Sequence, residues 1–485
     1  MKLGEIINIL GSMPRGGSGL SEREPAGYSI DSRTIRAREI FFAIRGERHD
    51  GHRFVGDALR KGAIAAVVSR DFLEANVAGE FDESKAMLIP VADTLGALQR
   101  LATETLRNWR GREAAITGSM GKTTTKEMTA AVLARVGRVH KTTGNLNNDY
   151  GLPLSILKME SDGAHVSDFD YAVLEMGMNH AGEIARLTQI APPDVGVVTV
   201  VAPVHLEFFT SVDAIAKAKA EMVAGIKGGG AAVLNADDER VLRMREMRND
   251  ISYRTFGIEN AADVSARDIR AEGLSGTRFT LATPRGETNA RLSVAGRHNV
   301  YNALAAAAVA DYFEAPLEEI AAALAESSSP RMRGEVIEFA EGFTIIDDSY
   351  NSNPRALVEM VKTVCANDEC KRRVVVAGEM LELGHSGPQL HYEAGRQIAE
   401  LGVDLLIGVR GLAREIVEGA REAGLGEDKA VFCETPDEAA EVLMKEAREG
   451  DLILVKGSRG VKTEIVIERM KRERGLNEKA ESGKH

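Results

Sequence analysis

The segment Thr117-Gly118-Ser119-Met120-Gly121-Lys122-Thr123-Thr124 follows an apolar run, Ala114 to Ile116, and leads into a helical stretch. A strand that breaks into such a loop and resumes as a helix restricts the fold sharply. Its glycines let the backbone curl so that N–H groups point inward at phosphate oxygens, and the helix N-terminus adds partial positive charge. Lys122 is placed to reach terminal phosphates and Thr123 to hold Mg²⁺. The general pattern GxxxxGK[ST] asks for Gly where this chain has Ile116. The loop still reads as a triphosphate cradle, because GKT and the strand-loop-helix setting coincide.

The rest of the chain has to supply a fold around that loop. At roughly 150 residues per domain, 485 residues suggest about three domains. Hydrophobic residues at 44% and charged residues at 28% are ordinary globular values, which exclude a disordered chain, a collagen or a small disulfide scaffold. Lys and Arg number 61 against 73 Asp and Glu, a net charge of −12, so a non-specific nucleic-acid binder is not expected. No stretch reads as a targeting or membrane segment: the run Val195 to Val204 is interrupted by Gly196, Thr199 and Pro203. Cys365, Cys370 and Cys433 form no CxxC pair and read as reduced core thiols, which points to a cytoplasmic protein without membrane insertion.

Three blocks follow from the pattern. Residues 1–98 hold short strand-like runs, Glu39 to Ile44 and Ala63 to Val68, and a helix over Asp93 to Trp109 with Asp93 as N-cap leads out of them. Residues 99–328 alternate strands with helices, through Tyr171 to Leu174 and Val195 to Val201, the pattern of a doubly wound, mostly parallel sheet. Short alternating runs over 251–296 suggest appended antiparallel strands, followed by a helix from Asn299 to Tyr312. After Ser328-Ser329-Pro330, residues 329–485 form a second α/β unit with strands at Thr344 to Ile346, Arg373 to Ala377, Asp404 to Ile407, Val431 to Cys433 and Asp451 to Val455. That unit has no GxGxxG, so no dinucleotide site is expected in it, and the tail from Lys471 reads as frayed.

A P-loop names the ligand and not its use. No NKxD follows, which argues against a GTPase switch. Glu175 leaves the strand Tyr171 to Leu174 where an acid could hold the metal.

With these residues in place the sequence resembles the Mur ligase family along nearly its whole length. The likeness is carried by DSRTIRAREIFFAIRGERHDGHRFVGDAL (31–59), TGSMGKTTTKEM (117–128), TTGNLNNDYGLPLSIL (142–157), LEMGMNHAGEI (174–184), HLEFFTSVDAIAKAKAEM (205–222), GRHNVYNALAAA (296–307), IDDSYNSNP (346–354) and LVKGSRG (454–460). The family's own loop reads TGxxGKT, so Ile116 is no departure within it. The resemblance implies three α/β domains: a small UDP-sugar-binding domain, a central ATPase and a Rossmann-like C-terminal domain.

It also implies a chemistry. Such enzymes phosphorylate the terminal carboxylate of a UDP-linked muramoyl peptide with ATP, and an amine then displaces phosphate from the acyl phosphate. Bringing a carboxylate to an anionic γ-phosphate needs neutralising charge, which Mg²⁺, Lys122 and an arginine supply. Arg333 aligns best with the family's γ-phosphate arginine, and Arg331 is its rival. By resemblance His205 binds a second Mg²⁺, and Lys219, fourteen residues on, carries a CO₂-derived carbamate. An ammonium about 4 Å from a divalent cation would be repelled by roughly 8 kcal/mol at an effective dielectric of about 20, and a carbamate reverses that sign. Lys217 points elsewhere on the same helix and serves as the natural control.

The remaining expectations are also family-borne. Asn299 and Asn302 would meet adenine; Asn147 and Asn148 would touch substrate; Ser32 and Arg33, with Gly46 to Gly51, would take the uridine diphosphate. Asp347 would meet the ribose, Asp348, Tyr350 and Asn351 the incoming amine, and Lys456, Ser458 and Arg459 its carboxylate. The motifs DDSYNSNP and EMGMNHAGEI, and the absence of DNPR, favour D-alanyl-D-alanine as the amine and a UDP-N-acetylmuramoyl tripeptide as acceptor. A sister ligase adding another amine, or a P-loop ATPase acting as a switch, are the competing readings. A monomer is expected; the third residue of the acceptor peptide and the general base stay open.

Overall fold

The structure is a computed structural model, and it describes residues 1–17, 19–46, 49–75 and 86–476. Three sheets occur in chain order, and each adds to the strands expected from the sequence others that were not, such as Met87–Val91, Ala231–Asn235 and Glu335–Glu338. The first orders its five strands Arg15–Gly16, Met87–Val91, Ala65–Ser69, Glu39–Phe42 and Gly27–Ser29, parallel except for the first pair. Asp93 caps the helix Thr94–Arg107 through its carboxylate, which accepts from Leu95 N–H at 3.0 Å. That helix buries Leu98 and Leu101 in a core holding Ile89 of the first sheet and Leu174 of the second, so it joins the two units mechanically.

The central sheet has nine strands. Its order is Gly286–Leu292, Thr277–Thr283, Val264–Ala271, Ser252–Gly257, Ala231–Asn235, Val195–Val198, Arg112–Thr117, Tyr171–Glu175 and Val139–Lys141. The strand that feeds the glycine loop therefore lies between Tyr171–Glu175 and Val195–Val198, with Ile116 opposite Glu175 and Thr117 opposite Val198. Their carboxyl ends converge on one crevice, as expected where a doubly wound sheet changes direction. The region 251–296 departs from expectation. Ser252–Gly257 and Val264–Ala271 add in parallel, and only Thr277–Thr283 and Gly286–Leu292 are antiparallel. The reason is the helical crossover over Glu239–Glu246, which returns the chain to add Ser252–Gly257 in the same direction as Ala231–Asn235.

The helix Arg297–Tyr312 begins two residues earlier than expected and is buried almost all round. Its alanines, Ala303 to Ala308, let it pack closely over the sheet and against the helix Lys122–Leu133, as a large side chain at those positions would not.

The third sheet runs Glu335–Glu338, Thr344–Asp348, Asp451–Lys456, Arg372–Gly378, Leu405–Val409 and Ala430–Cys433, parallel beyond its first antiparallel pair. The helix Glu464–Arg474 covers it and carries Lys471 in regular structure, with Arg474 paired to Glu341 at 2.7 Å; the tail is thus ordered that far, and residues 477–485 lie outside the described residues. Among the described residues no helix is long and apolar enough to cross a membrane.

One buried acid makes the central sheet sensitive to pH. Glu113, on the strand feeding the loop, is pushed up to about 8 by burial, and its Oε1 has no partner. The folded protein keeps a proton there that the unfolded chain loses near its ordinary value. Stability therefore falls as pH rises from about 5 to 8, by at most about 1.4 kcal/mol per pH unit. Glu113→Gln, neutral throughout, is expected to match wild type in thermal melting near pH 5 and to exceed it by several degrees at pH 8; a gap independent of pH would contradict this.

Candidate active site

The glycine loop takes its shape from two residues that no side chain could replace. Gly118 and Gly121 have φ of +149° and +78°. A Cβ at Gly118 would lie 1.8 Å from Thr199 Oγ1, and one at Gly121 would lie 2.3 Å from Asn302 Oδ1. The neighbouring strand end then ties the loop down: Ser119 N–H donates to Val200 O at 2.8 Å, and Thr199 Oγ1 donates to Met120 O at 2.6 Å. Thr117, wholly buried, ends the strand beneath it.

Lys122 Nζ folds back to donate to Gly118 O at 2.9 Å. Burial pushes its ammonium down from the ordinary lysine range, Glu175 opposes that push, and Arg333 adds to it. Thr123 Oγ1 donates to Glu175 Oε2 at 2.8 Å, while Asn147 Nδ2 donates to Glu175 Oε1 at 2.8 Å and Glu175 N–H to Thr142 Oγ1 at 3.0 Å. A hydroxyl and a buried carboxylate beside a phosphate cradle form the hard-oxygen donor set that suits Mg²⁺, which is held by one or two carboxylates plus phosphates. Among the described residues no three His, Cys, Asp or Glu side chains gather as a ready-made cage, so phosphate oxygens would have to complete the shell.

These groups line a cleft of about 810 Å³ shared between the central and third sheets. Ser119, Met120, Gly121, Thr124, Asn299 and Asn302 face it from the centre; Arg333, Asp348, Tyr350, Asn351 and Lys456 face it from the C-terminal unit. The guanidinium of Arg333 stacks 4.1 Å over the Tyr350 ring. Arg331 does not line the cleft, so geometry separates the two rival arginines. Asn302 Nδ2 donates to Asn299 Oδ1 at 3.1 Å, and Thr125 Oγ1 donates to Asn302 Oδ1 at 3.2 Å, so the asparagine pair also braces the loop.

Lys219 is fully buried on the helix Val212–Ala224, whereas Lys217 is exposed. Burial and then the Lys122 charge push the Lys219 ammonium far below its ordinary range. Among the described residues no hydrogen bond or ion pair reaches its Nζ. His205 lines the cleft with left-handed backbone, φ 56°, and its Nδ1 lies 2.5 Å from Glu382 Oε2 of the C-terminal unit. The His205 ring holds the Glu382 carboxyl below its usual range.

Other expected site residues stand elsewhere or are already engaged. Asn148 Oδ1 accepts from Gly151 N–H at 2.9 Å and does not line the cleft. Asp347 is buried, accepting from Ser349 N–H at 3.1 Å and Ser349 Oγ at 2.5 Å, and burial raises its carboxyl. Lys456 Nζ donates to Asp348 Oδ2 at 2.6 Å and Asn351 O at 2.9 Å, so its charge is neutralised internally. Ser458 Oγ accepts from Leu381 N–H at 2.9 Å, and Arg459 pairs at the surface with Glu464 at 2.6 Å; neither lines the cleft. In the first unit, Ser32 O accepts from Lys61 Nζ at 2.7 Å and Arg33 pairs with Asp31, both away from the cleft. Of the segment Gly46 to Gly51, Glu47 and Arg48 lie outside the described residues.

Sequence reasoning missed Arg355 and Lys362, which bring positive charge to the cleft from the helix Pro354–Cys365, and it missed Glu382. The only signal for Arg355 was its place just after the motif ending at Pro354. Nothing in spacing ties residue 382 to 205.

A strand-loop-helix cradle, a metal-suited hydroxyl and carboxylate, and a closing C-terminal unit define a P-loop ATP-using protein of three α/β units. The comparisons narrow that class. The Mur ligase family catalytic domain matches residues 25–105, the Mur ligase middle domain residues 116–310, and the Mur ligase glutamate ligase domain residues 332–459. The UDP-N-acetylmuramoyl-tripeptide–D-alanyl-D-alanine ligase of Escherichia coli is 36% identical over 445 residues, 90% of this chain and 92% of its own. That of Bacillus subtilis is 34% identical over 442 residues, covering 91% and 92%. Among solved structures, MurF from Acinetobacter baumannii superposes with a TM-score of 0.83 at 30% identity, over 97% of this chain and 99% of its own. The MurF ligase from Thermotoga maritima in complex with ADP gives 0.77 at 29% identity, over 92% and 97%. The chain belongs to the Mur ligase family, and it is a ligase.

The geometry of Gly121 sets a test of the cradle. Gly121→Ala combines an unfavourable φ with a collision at Asn302, and strain of this kind costs on the order of 1–3 kcal/mol. It is expected to weaken MgATP binding about tenfold or more in titration calorimetry, with the circular dichroism spectrum unchanged. Wild-type affinity would refute the role given to this loop.

Proposed function

We propose that this protein uses ATP to join D-alanyl-D-alanine to a UDP-N-acetylmuramoyl tripeptide, in the cytoplasmic stage of peptidoglycan precursor synthesis. The observation that carries the reading is the shared cleft, in which a triphosphate cradle from the central unit faces Arg333, Tyr350 and Asn351 from the C-terminal unit. The relatives named above support the choice of substrates. The boundaries proposed near residues 98 and 328, the first inside the helix Thr94–Arg107 that packs on both neighbouring units, divide the chain into a UDP-sugar domain holding Ser32 and Arg33, the ATPase and the Rossmann-like domain.

In this reading the loop amides and Lys122 hold the β- and γ-phosphates, with Asn299 and Asn302 toward the adenine. Arg333 meets the γ-phosphate, so that the acceptor carboxylate oxygen can attack phosphorus while ADP leaves. The acyl phosphate so formed is attacked at carbon by the dipeptide amine. Phosphate departs from the tetrahedral intermediate, and the amine proton is lost to a base not yet assigned. Mg²⁺, held by Thr123 and Glu175 and at a second position by His205 and Lys219, supplies charge neutralisation when bound.

Lys219 supports the carbamate. CO₂ adds only to an unprotonated amine, releasing one proton, and a buried lysine pushed far below its ordinary range is such an amine. The product is an anion where a buried ammonium would face Lys122.

Phosphate release is expected with the UDP-muramoyl tripeptide and D-alanyl-D-alanine together, and with no single amino acid. Release with a single amino acid would mark a sister ligase, and turnover without any UDP-sugar would mark an ATPase switch. Lys219→Ala is expected to lower kcat about 10²- to 10³-fold, with partial rescue by formate or acetate, while Lys217→Ala stays near wild type. Rescue absent together with an unmodified Lys219 by mass spectrometry would overturn the carbamate.

A further inference from the structure

His205 lies between the strand Val195–Val198 and the helix Val212–Ala224 of the central unit, and Glu382 lies between the strand Arg372–Gly378 and the helix Gly387–Glu400 of the C-terminal unit. The two meet at 2.5 Å, Nδ1 to Oε2. A carboxylate only accepts, so the ring donates from Nδ1, and in the neutral imidazole Nε2 then carries the lone pair. The contact is not a chance meeting of long side chains. Glu207 N–H donates to Glu382 O at 3.2 Å, a second bond across the same junction. Gly384 allows the approach: with φ +56°, a Cβ there would lie 3.3 Å from both Glu207 Cα and Leu206 O. His205 and Glu382 both carry left-handed backbone, φ 56° and 65°, a conformation that non-glycine residues keep only where the surroundings hold them in it.

We propose that Glu382 is a positioning residue supplied by the C-terminal unit, which fixes the proton on Nδ1 of His205 and so presents Nε2 as a ligand only when the two units are docked. The metal-binding role of His205 belongs to the functional reading above, and the inference rests on it. Histidine ligands owe orientation and tautomer to the partner of their other nitrogen, and losing that partner commonly costs 10- to 100-fold in metal affinity or activity. Here the partner comes from a different unit, so ligand readiness is tied to closure.

The test reads the imidazole directly. In the metal-free full-length protein at pH 8, side-chain ¹⁵N shifts of His205, assigned by loss of its signal in His205→Gln, are expected to show a protonated Nδ1 and a bare Nε2. Glu382→Ala is expected to move the ring to a mixture rich in the Nε2–H form, and Glu382→Gln, whose amide oxygen still accepts, to keep the wild-type pattern. Gly384→Ala, which strains a φ of +56° and adds a methyl 3.3 Å from Glu207 Cα and Leu206 O with the carboxylate intact, is expected to shift the ring part of the way toward the Glu382→Ala pattern. In the ligase assay the Mg²⁺ concentration for half-maximal rate should rise about 10- to 100-fold in Glu382→Ala and little in Glu382→Gln. An unchanged tautomer in Glu382→Ala overturns the positioning role, and an unchanged tautomer in Gly384→Ala overturns its dependence on docking. Should the wild-type protein release no phosphate with D-alanyl-D-alanine, the functional reading fails while the imidazole spectra still decide this proposal.

Discussion

The buried ammonium of Lys122 at the glycine loop, with Glu175 and Arg333 acting on it in opposite senses, is the constraint on which the rest of the site depends. Burial drives the Lys122 and Lys219 ammoniums down, Arg333 adding to the push on Lys122 and Lys122 to the push on Lys219. Glu175 opposes the push on Lys122, and its two oxygens are already engaged by Thr123 and Asn147. Such an arrangement is costly when empty and favourable when filled by a polyanion. The loop glycines, the two flanking strands and the arginine of a separate unit all converge on one place, the arrangement that the proposed handling of phosphate requires.

The fold makes that convergence possible by putting the loop at the carboxyl end of a strand flanked by two parallel neighbours. Glu175 and Thr199 then arrive from adjacent strands, one as the acid beside Thr123 and the other as the clamp on Met120. The alanine-rich helix Arg297–Tyr312 brings Asn302 under Gly121 because its small side chains permit close packing. Helix, loop and sheet therefore form a rigid half-site. The C-terminal unit supplies the other half of the cleft through Arg333, Tyr350 and the junction of Glu382 with His205.

Much of the fold was legible because its signals are local. The apolar runs marked strands whose ends the structure moves by one to three residues, extending Tyr171–Glu175 and Asp451–Lys456 and shortening Glu39–Phe42 and Val195–Val198, and Asp93 announced its helix by capping chemistry. The direction of Ser252–Gly257 was not legible, since parallel and antiparallel strands share the same alternation and only the route of the crossover separates them. Among site residues, the glycine loop with Lys122 and Thr123 was readable from order along the chain. Lys456 shows the opposite case: its sequence context suggested a free cation, and its pairing with Asp348 follows from the parallel register of two strands more than a hundred residues apart.

By itself the sequence determined three α/β units and the chemistry of the phosphate cradle, because periodicity, capping and loop glycines act over a few residues. Only the tertiary structure put Arg333 and not Arg331 on the cleft, buried Lys219 while leaving Lys217 in water, and joined His205 to Glu382. Burial, charge proximity and hydrogen-bond partners are set by segments distant in sequence, and no local pattern records which of them will meet.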